Sequence, residues 1–122
     1  MGAAILIVED EPGIQLALRG LMRREGHAVE VATTGAEALE LLENGRFDLV
    51  LTDLSLPDGV SGLDLVRHVA EFRAGTPVVL ITAYGSDSVA RDARAAGVFD
   101  YVPKPFNNEQ LRAVVRRAIA TA

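Results

Sequence analysis

The sequence contains no cysteine, which excludes disulfide bonds, thiolate metal sites and cysteine nucleophiles and is typical of a reducing compartment. It also lacks a long hydrophobic run. The longest run covers residues 3–8, far short of the roughly 20 residues that a transmembrane helix needs. No basic, apolar and cleavable leader precedes it. We therefore expect a cytoplasmic protein with no membrane partner.

Positive charge is scarce as well. The 12 lysines and arginines are outnumbered by 17 acidic residues, which gives a net charge of −5. Binding to a nucleic acid duplex needs a concentrated cationic face. The arginine pairs at residues 23–24 and 116–117 are more typical of solvent-exposed helix surfaces. We expect no direct nucleic-acid partner.

The size and pattern of the chain predict one α/β domain spanning residues 1–122. Short apolar runs alternate five times with segments of helical periodicity, which favours a doubly wound (βα)5 fold with a parallel sheet. The predicted strands lie near residues 4–8, 28–32, 48–53, 77–82 and 99–102. The predicted helices lie near residues 12–25, 35–44, 62–73, 86–96 and 107–120.

The fourth predicted helix has little to bury. Its only apolar side chain larger than alanine is Val89, and burial of apolar area is what normally holds a short helix against its sheet. We expect it to be the least stable helix. Such a helix suits a moving element and an alanine-rich surface helix equally well.

Acidic residues follow two of the predicted strands. Glu9, Asp10 and Glu11 follow the first strand, and Asp53 ends the third. If these strands are neighbours, Glu9, Asp10 and Asp53 meet at one edge of the sheet, where their mutual repulsion favours a bound cation. Oxygen ligands without histidine predict Mg²⁺. We assign Glu11 instead to the start of the first helix, where the helix dipole favours an acid.

Two further strand ends add an anion-binding element. Thr82 ends the fourth strand, and Lys104 follows the fifth. A hydroxyl group and an ammonium group beside a metal and a carboxylate form a site for an anion, most commonly a phosphoryl group.

Four motifs, taken in order, resemble the receiver domain of two-component response regulators. They are Ile-Leu-Ile-Val-Glu9-Asp10-Glu-Pro, Asp53-Leu-Ser-Leu-Pro57, Ile-Thr82-Ala-Tyr-Gly and Asp-Tyr101-Val-Pro-Lys104-Pro105-Phe. The resemblance covers essentially the whole chain. It implies a flavodoxin-like sheet of order 2-1-3-4-5 and a phosphorylation-activated signalling switch in which Asp53 accepts a phosphoryl group from a sensor histidine kinase.

The resemblance also implies a role for each site residue. Asp10, Asp53 and the backbone carbonyl of Ser55 would bind Mg²⁺, with Mn²⁺ as an acceptable substitute, and Glu9 would assist through water. Thr82 and Lys104 would hold the phosphoryl oxygens, and a cis peptide bond before Pro105 would aim Lys104 inward.

The expected output of the switch is a changed surface. The resemblance implies that Tyr101 changes rotamer and that helix 4, strand 5 and helix 5 together control an output domain or partner, with a homodimer allowed on phosphorylation. Ile14, Gln15 and Leu18 lie where family partners dock. Tyr84 is a hypothetical shield of the acyl phosphate against water.

One loop departs from the family pattern. Most receivers have a glycine eight residues after the phosphoacceptor, whereas Gly62 lies nine residues after Asp53. This variant resembles receivers of hybrid histidine kinases, while the segments around Thr82 and Tyr101 resemble transcriptional activators of the nitrogen-regulation group. The expected role is regulatory and not enzymatic.

Three alternatives stay open from the residues. A phosphohydrolase of the haloacid dehalogenase type is disfavoured because Ser55 replaces the second acid of its motif. A pseudo-receiver that binds partners without phosphorylation is disfavoured by the intact Asp10, Asp53, Thr82 and Lys104. A flavodoxin relative lacks its phosphate loop after the first strand.

Overall fold

The computed structural model describes residues 2–83 and 86–121. Its strands are β1 (Ala4–Val8), β2 (Ala28–Ala32), β3 (Leu49–Asp53), β4 (Val78–Thr82) and β5 (Asp100–Pro103), and its helices are α1 (Pro12–Arg24), α2 (Gly35–Asn44), α3 (Gly62–Phe72), α4 (Asp87–Ala96) and α5 (Asn108–Thr121). These bounds differ from the predicted ones by at most one residue. A short 3₁₀ turn at Pro57–Gly59 was not predicted.

The five strands form one parallel sheet in the order β2-β1-β3-β4-β5, which confirms the predicted fold. The register pairs Val8 with Thr52. The next residues along these strands, Glu9 and Asp53, therefore lie side by side at the carboxyl edge of the sheet. On the other side of β3, Asp53 pairs with Ile81, so Thr82 also reaches this edge.

Two hydrophobic layers cover the sheet. Ile5 and Ile7 of β1 join a cluster formed with α1 and α5. Leu6 and Val8 point to the opposite face and join a cluster formed with α2, α3 and α4. This alternation along a strand whose two faces are both covered explains the continuous apolar runs in the sequence. Packing on both faces holds the strands in place and so fixes the positions of the polar residues at their carboxyl ends.

Polar side chains cap the N-termini of several helices by accepting hydrogen bonds from the backbone N–H groups of the first turn. The carboxylate of Glu11 accepts hydrogen bonds from the backbone N–H groups of Gly13 and Ile14, which confirms its assignment as a capping acid. Ser61 and Asp64 form a complete capping box at α3. At α2 only one half of a capping box is present. The Thr34 side chain accepts from the N–H of Glu37, but the Glu37 carboxylate accepts from the N–H of Thr33, one residue before the cap.

Helix α4 buries a single residue, Ala93. Val89 is only partly buried, so the apolar area that ties α4 to the sheet is small. Among the described residues, no helix is both long enough and apolar enough to cross a bilayer.

Candidate functional site

Three carboxylates converge at the carboxyl edge of the sheet. Each of Glu9, Asp10 and Asp53 offers an oxygen atom, and these oxygens all lie within 4.8 Å of one another. The three side chains differ in exposure: Glu9 is buried, Asp53 is intermediate and Asp10 is exposed. The pairing of β1 with β3 thus brings together the acidic residues that the sequence placed at two strand ends.

Lys104 reaches this acidic cluster from the end of β5. Its Nζ atom donates hydrogen bonds to Oδ2 of Asp53 at 2.8 Å and to Oε1 of Glu9 at 3.2 Å. The three side chains are largely withdrawn from water, with 14% of Lys104, 12% of Asp53 and 2% of Glu9 exposed. The Lys104–Pro105 peptide bond is cis, the isomer that the resemblance implied. Through its two hydrogen bonds, the ammonium group of Lys104 neutralises part of the negative charge of the cluster.

The crowding of the carboxylates changes the protonation of Glu9. Burial, and then the hydrogen bond and negative charge of Asp53, raise the pKa of Glu9 to about 7, while Lys104 acts in the opposite direction. Glu9 is 1% exposed as a residue, so its charged form is poorly hydrated. Glu9 is therefore partly protonated near neutral pH in the absence of a bound cation, because Lys104 offsets only part of the effect of burial and of Asp53.

The same contacts act on Lys104 with the opposite sign. Burial tends to lower the pKa of Lys104, but the hydrogen bond and charge of Asp53, together with those of Glu9, raise it above its ordinary value. Lys104 is therefore a permanent cation at neutral pH, available to hold an anionic group beside Asp53.

The donor set suits a hard divalent cation. The three carboxylates supply oxygen atoms only, and Asp10 is exposed to solvent. Ser55 lies next to them, with its backbone N–H 3.4 Å from Oδ1 of Asp53. Oxygen ligands that leave room for water match the preference of Mg²⁺. These residues therefore fit the predicted magnesium site.

Of the remaining predicted residues, Thr82 lies at the same edge of the sheet as the acidic cluster, whereas Tyr101 packs on one face of the sheet. Thr82 is buried at the end of β4, and its carbonyl oxygen accepts a 2.7 Å hydrogen bond from the N–H of Lys104. Tyr101 of β5 is half-buried and packs against the hydrophobic cluster on the α2–α3–α4 side of the sheet. Tyr84, the hypothetical water shield, lies outside the described residues.

Gly62 has a structural role at the site that the sequence did not reveal. Its N–H donates to the carbonyl oxygen of Leu54 at 2.8 Å, and a Cβ atom added to it would lie 2.1 Å from the carbonyl oxygen of Asp53. The residue nine positions after Asp53 thus packs directly under the Asp53 backbone. The longer loop is accommodated by a turn in which Asp58 and Gly59 have φ angles of 65° and 85°.

The docking residues proposed on α1 need one correction. Leu18 is 2% exposed and belongs to the core, so it is not available to a partner. Leu16 is 71% exposed, because helical periodicity turns it away from the sheet. Gln15 was also placed with the docking residues, and its side-chain amide donates to the backbone carbonyl of Glu9. This contact links α1 to the acidic cluster.

The family model of the response regulator receiver domain matches residues 5–116. The chain therefore belongs to the response regulator receiver domain family, whose members are signalling domains of two-component systems. This membership decides against the haloacid dehalogenase and flavodoxin alternatives.

Individual relatives agree with this family. The response regulator protein PilR of Pseudomonas aeruginosa is 46% identical over 114 residues, which are 93% of this chain and 25% of PilR. The transcriptional regulatory protein ResD of Bacillus subtilis is 35% identical, over 97% of this chain and 50% of ResD. The chain thus spans a quarter to a half of the length of these curated relatives.

Solved structures share the fold. A CheY-like response regulator receiver domain protein from Methanospirillum hungatei superimposes with a TM-score of 0.93 at 31% identity, covering 98% of this chain and 95% of that one. The receiver domain of a sensor histidine kinase from Pseudomonas aeruginosa has a TM-score of 0.87 at 30% identity, covering 98% and 99% of the two chains. That structure has a magnesium ion coordinated in its active-site cleft.

Proposed function

We propose that the 122 residues act as a single receiver domain that accepts a phosphoryl group on Asp53 from the phosphohistidine of a sensor histidine kinase. The observation that carries this proposal is the ion pair between Lys104 and Asp53, with an Nζ–Oδ2 distance of 2.8 Å, beside the carboxylates of Glu9 and Asp10. A carboxylate already ionised needs no general base to attack phosphorus, and a buried cation beside it can hold the incoming phosphoryl oxygens.

One set of residues binds the metal ion and another binds the phosphoryl group. Asp10, Asp53 and the carbonyl oxygen of Ser55 hold Mg²⁺, or Mn²⁺ in its place, and Glu9 supports it through water. When bound, the ion supplies positive charge that offsets the equatorial phosphoryl oxygens. Thr82 and Lys104 bind those oxygens. This assignment is supported by the oxygen-only donor set and by the position of Lys104 between Asp53 and Glu9.

The signal passes to the surface formed by α4, β5 and α5. Phosphorylation draws Thr82 and Tyr101 towards the site, and the small buried area of α4 lets this helix respond. A coupling of about 1–3 kcal/mol is typical of such switches and is enough to change a minor active population by one or two powers of ten. The altered surface then controls an output domain or a partner protein, or a second copy of the chain. The domain catalyses only its own phosphorylation and dephosphorylation.

Phosphorylation by a small donor tests the proposal. The protein is incubated with phosphoramidate and Mg²⁺, and its intact mass is followed by mass spectrometry. We expect one phosphoryl group per chain, which does not form when EDTA is present from the start of the incubation and is absent in Asp53→Asn. The control is Asp58→Asn, the same change at an exposed acid in the adjacent loop, which should be phosphorylated normally.

Two outcomes would contradict the proposal. Continuous release of phosphate over many turnovers without a stable adduct would indicate a phosphohydrolase. The absence of any adduct, with Mg²⁺ bound and the protein folded, would indicate a pseudo-receiver that binds partners without being phosphorylated.

A further inference from the structure

An apolar cavity of about 410 Å³ adjoins the proposed phosphoacceptor site. Among the described residues, it is lined by Ile14, Ala83, Lys104, Pro105 and Phe106. Ile14 lies in the first turn of α1, Ala83 directly follows β4, and the other three residues follow β5. Four of the five side chains are hydrocarbon, so the cavity suits an uncharged, apolar group.

Lys104 connects this cavity with Asp53. The residue lines the cavity, and its Nζ atom lies 2.8 Å from Oδ2 of Asp53. A phosphoryl group bound between Lys104 and Asp53 would therefore have the cavity beside it. The part of a small donor that lies beyond phosphorus, its leaving group, then has an apolar surface within reach.

The chemistry of the product limits which donors can use this site. A phosphoryl group on Asp53 is a mixed anhydride of a carboxylic acid and phosphoric acid. Ordinary phosphate esters lie too low in energy to form it, whereas an acyl phosphate exchanges one such anhydride for another at nearly equal energy. Acyl phosphates also contain an apolar part that suits the cavity. In these compounds a dianionic phosphoryl group is joined through a carboxyl group to a hydrocarbon chain.

We propose that the cavity binds the hydrocarbon chain of short acyl phosphates, so that the domain prefers propionyl and butyryl phosphate to acetyl phosphate as direct donors. This inference rests on the proposed function of Asp53. In the reaction, an oxygen of the Asp53 carboxylate attacks phosphorus and forms a new O–P bond. The bond between phosphorus and the acyl oxygen breaks, and the carboxylate of the donor leaves with that electron pair.

The size of the preference follows from burial of apolar surface. Each methylene group moved from water into the partly open cavity should raise the rate of phosphorylation at low donor concentration by about two- to fourfold. Butyryl phosphate should thus exceed acetyl phosphate by about four- to sixteenfold, if both of its additional methylenes are covered.

A chain-length series tests the inference. Initial rates of Asp53 phosphorylation are measured by intact-mass spectrometry with acetyl, propionyl and butyryl phosphate, and with phosphoramidate as a donor without a hydrocarbon chain. The series is repeated in Phe106→Ala and Ile14→Ala, which should flatten the preference and leave the rate with phosphoramidate within about twofold. The control Leu16→Ala removes an exposed apolar residue of α1 that lies outside the cavity lining and should retain the full preference.

The outcomes separate this inference from the proposed function. If phosphoramidate modifies Asp53 but the three acyl phosphates react at equal rates, the inference is wrong and the proposed function stands. The inference is also wrong if both cavity variants keep the wild-type preference, because the preference would then arise outside the cavity. If phosphoramidate fails to modify Asp53, both proposals fall. The comparison of acyl phosphates in the unmodified protein tests the inference even if a cavity variant fails to fold.

Discussion

Lys104 and Asp53 form an ion pair with little exposure to water, in which the Nζ atom lies 2.8 Å from Oδ2. The two residues are 51 positions apart in the chain, and the order of the strands brings them together. The same ammonium group donates to Glu9 at 3.2 Å. One cation thus pairs with two carboxylates, and its removal leaves both of them without the positive partner that they have among the described residues.

Replacing Lys104 should destabilise the fold. We expect Lys104→Met to lower the free energy of unfolding by about 2–4 kcal/mol at pH 8 in EDTA, because a buried pair of carboxylates loses its counter-charge. Added Mg²⁺ should restore part of the loss. Urea denaturation measures both effects. Arg112→Met is the matched control, since its ion pair with the largely exposed Glu109 should contribute no more than about 0.5 kcal/mol. Equal losses in the two variants would contradict this prediction.

Glu9 should make stability depend on pH in the absence of metal. Its pKa of about 7 in the folded protein lies above the ordinary value of 4.5, so the folded state holds a proton that the unfolded state releases. This contribution is complete below pH 4.5 and is lost as the pH rises through 7. The free energy of unfolding of Glu9→Gln relative to the unmodified protein should therefore increase over this range. Urea denaturation of the two proteins in EDTA at several pH values measures this difference, and a difference that stays constant between pH 4.5 and 8 would contradict the prediction.

Magnesium binding should release a proton from the same residue. Because the ion stabilises the charged form of Glu9, its affinity should rise with pH up to about 7 and change little above it. Titration calorimetry in two buffers of different ionisation enthalpy measures the released proton. Proton release at pH 6 that is unchanged in Glu9→Gln would assign it to another group.

Gly62 should tolerate no side chain. A Cβ atom there would lie 2.1 Å from the carbonyl oxygen of Asp53, whereas one at Gly75 would meet no atom within 4 Å. We expect Gly62→Ala to reduce the free energy of unfolding by about 1–3 kcal/mol and to weaken Mg²⁺ binding, since the backbone under Asp53 must shift. Gly75→Ala should be neutral, or stabilising by up to about 1 kcal/mol. Thermal unfolding of the pair, with and without Mg²⁺, distinguishes the two positions.

Helix α4 should open more readily than α5. It buries only Ala93, whereas α5 contributes Leu111, Val114, Val115 and Ala118 to the core. Amide hydrogen exchange of the unphosphorylated protein should therefore be faster in α4. Equal protection of the two helices would argue against α4 as the moving element of the switch.

The sequence predicted features that depend on neighbouring residues or on the ends of strands. Glu11 caps the helix that follows it because its carboxylate and the N–H groups that it binds lie within one helical turn. The meeting of Glu9 and Asp53 followed once β1 and β3 were taken as neighbours. The prediction that these two strands pair was based on the parallel βα pattern together with the strand order that the family resemblance implies.

Contacts between separate loops could not be predicted in this way. The contact of Gly62 with the Asp53 backbone depends on the path of the longer loop, which the 3₁₀ turn at Pro57–Gly59 determines. The contact of Gln15 with the carbonyl of Glu9 depends on how α1 is rotated against the sheet. The wrong placement of Leu18 has another cause, because it came from the family resemblance, whereas helical spacing puts Leu18 on the same side of α1 as the buried Leu21 and Met22.

Lys104 is the only lysine in the chain. A sample grown with isotope-labelled lysine therefore carries its label at the centre of the site and nowhere else. The side-chain nitrogen gives one resonance, which reports directly on the ammonium group between Asp53 and Glu9. Metal binding, phosphorylation and release of the phosphoryl group can each be followed at that single signal, without introducing a probe into the protein.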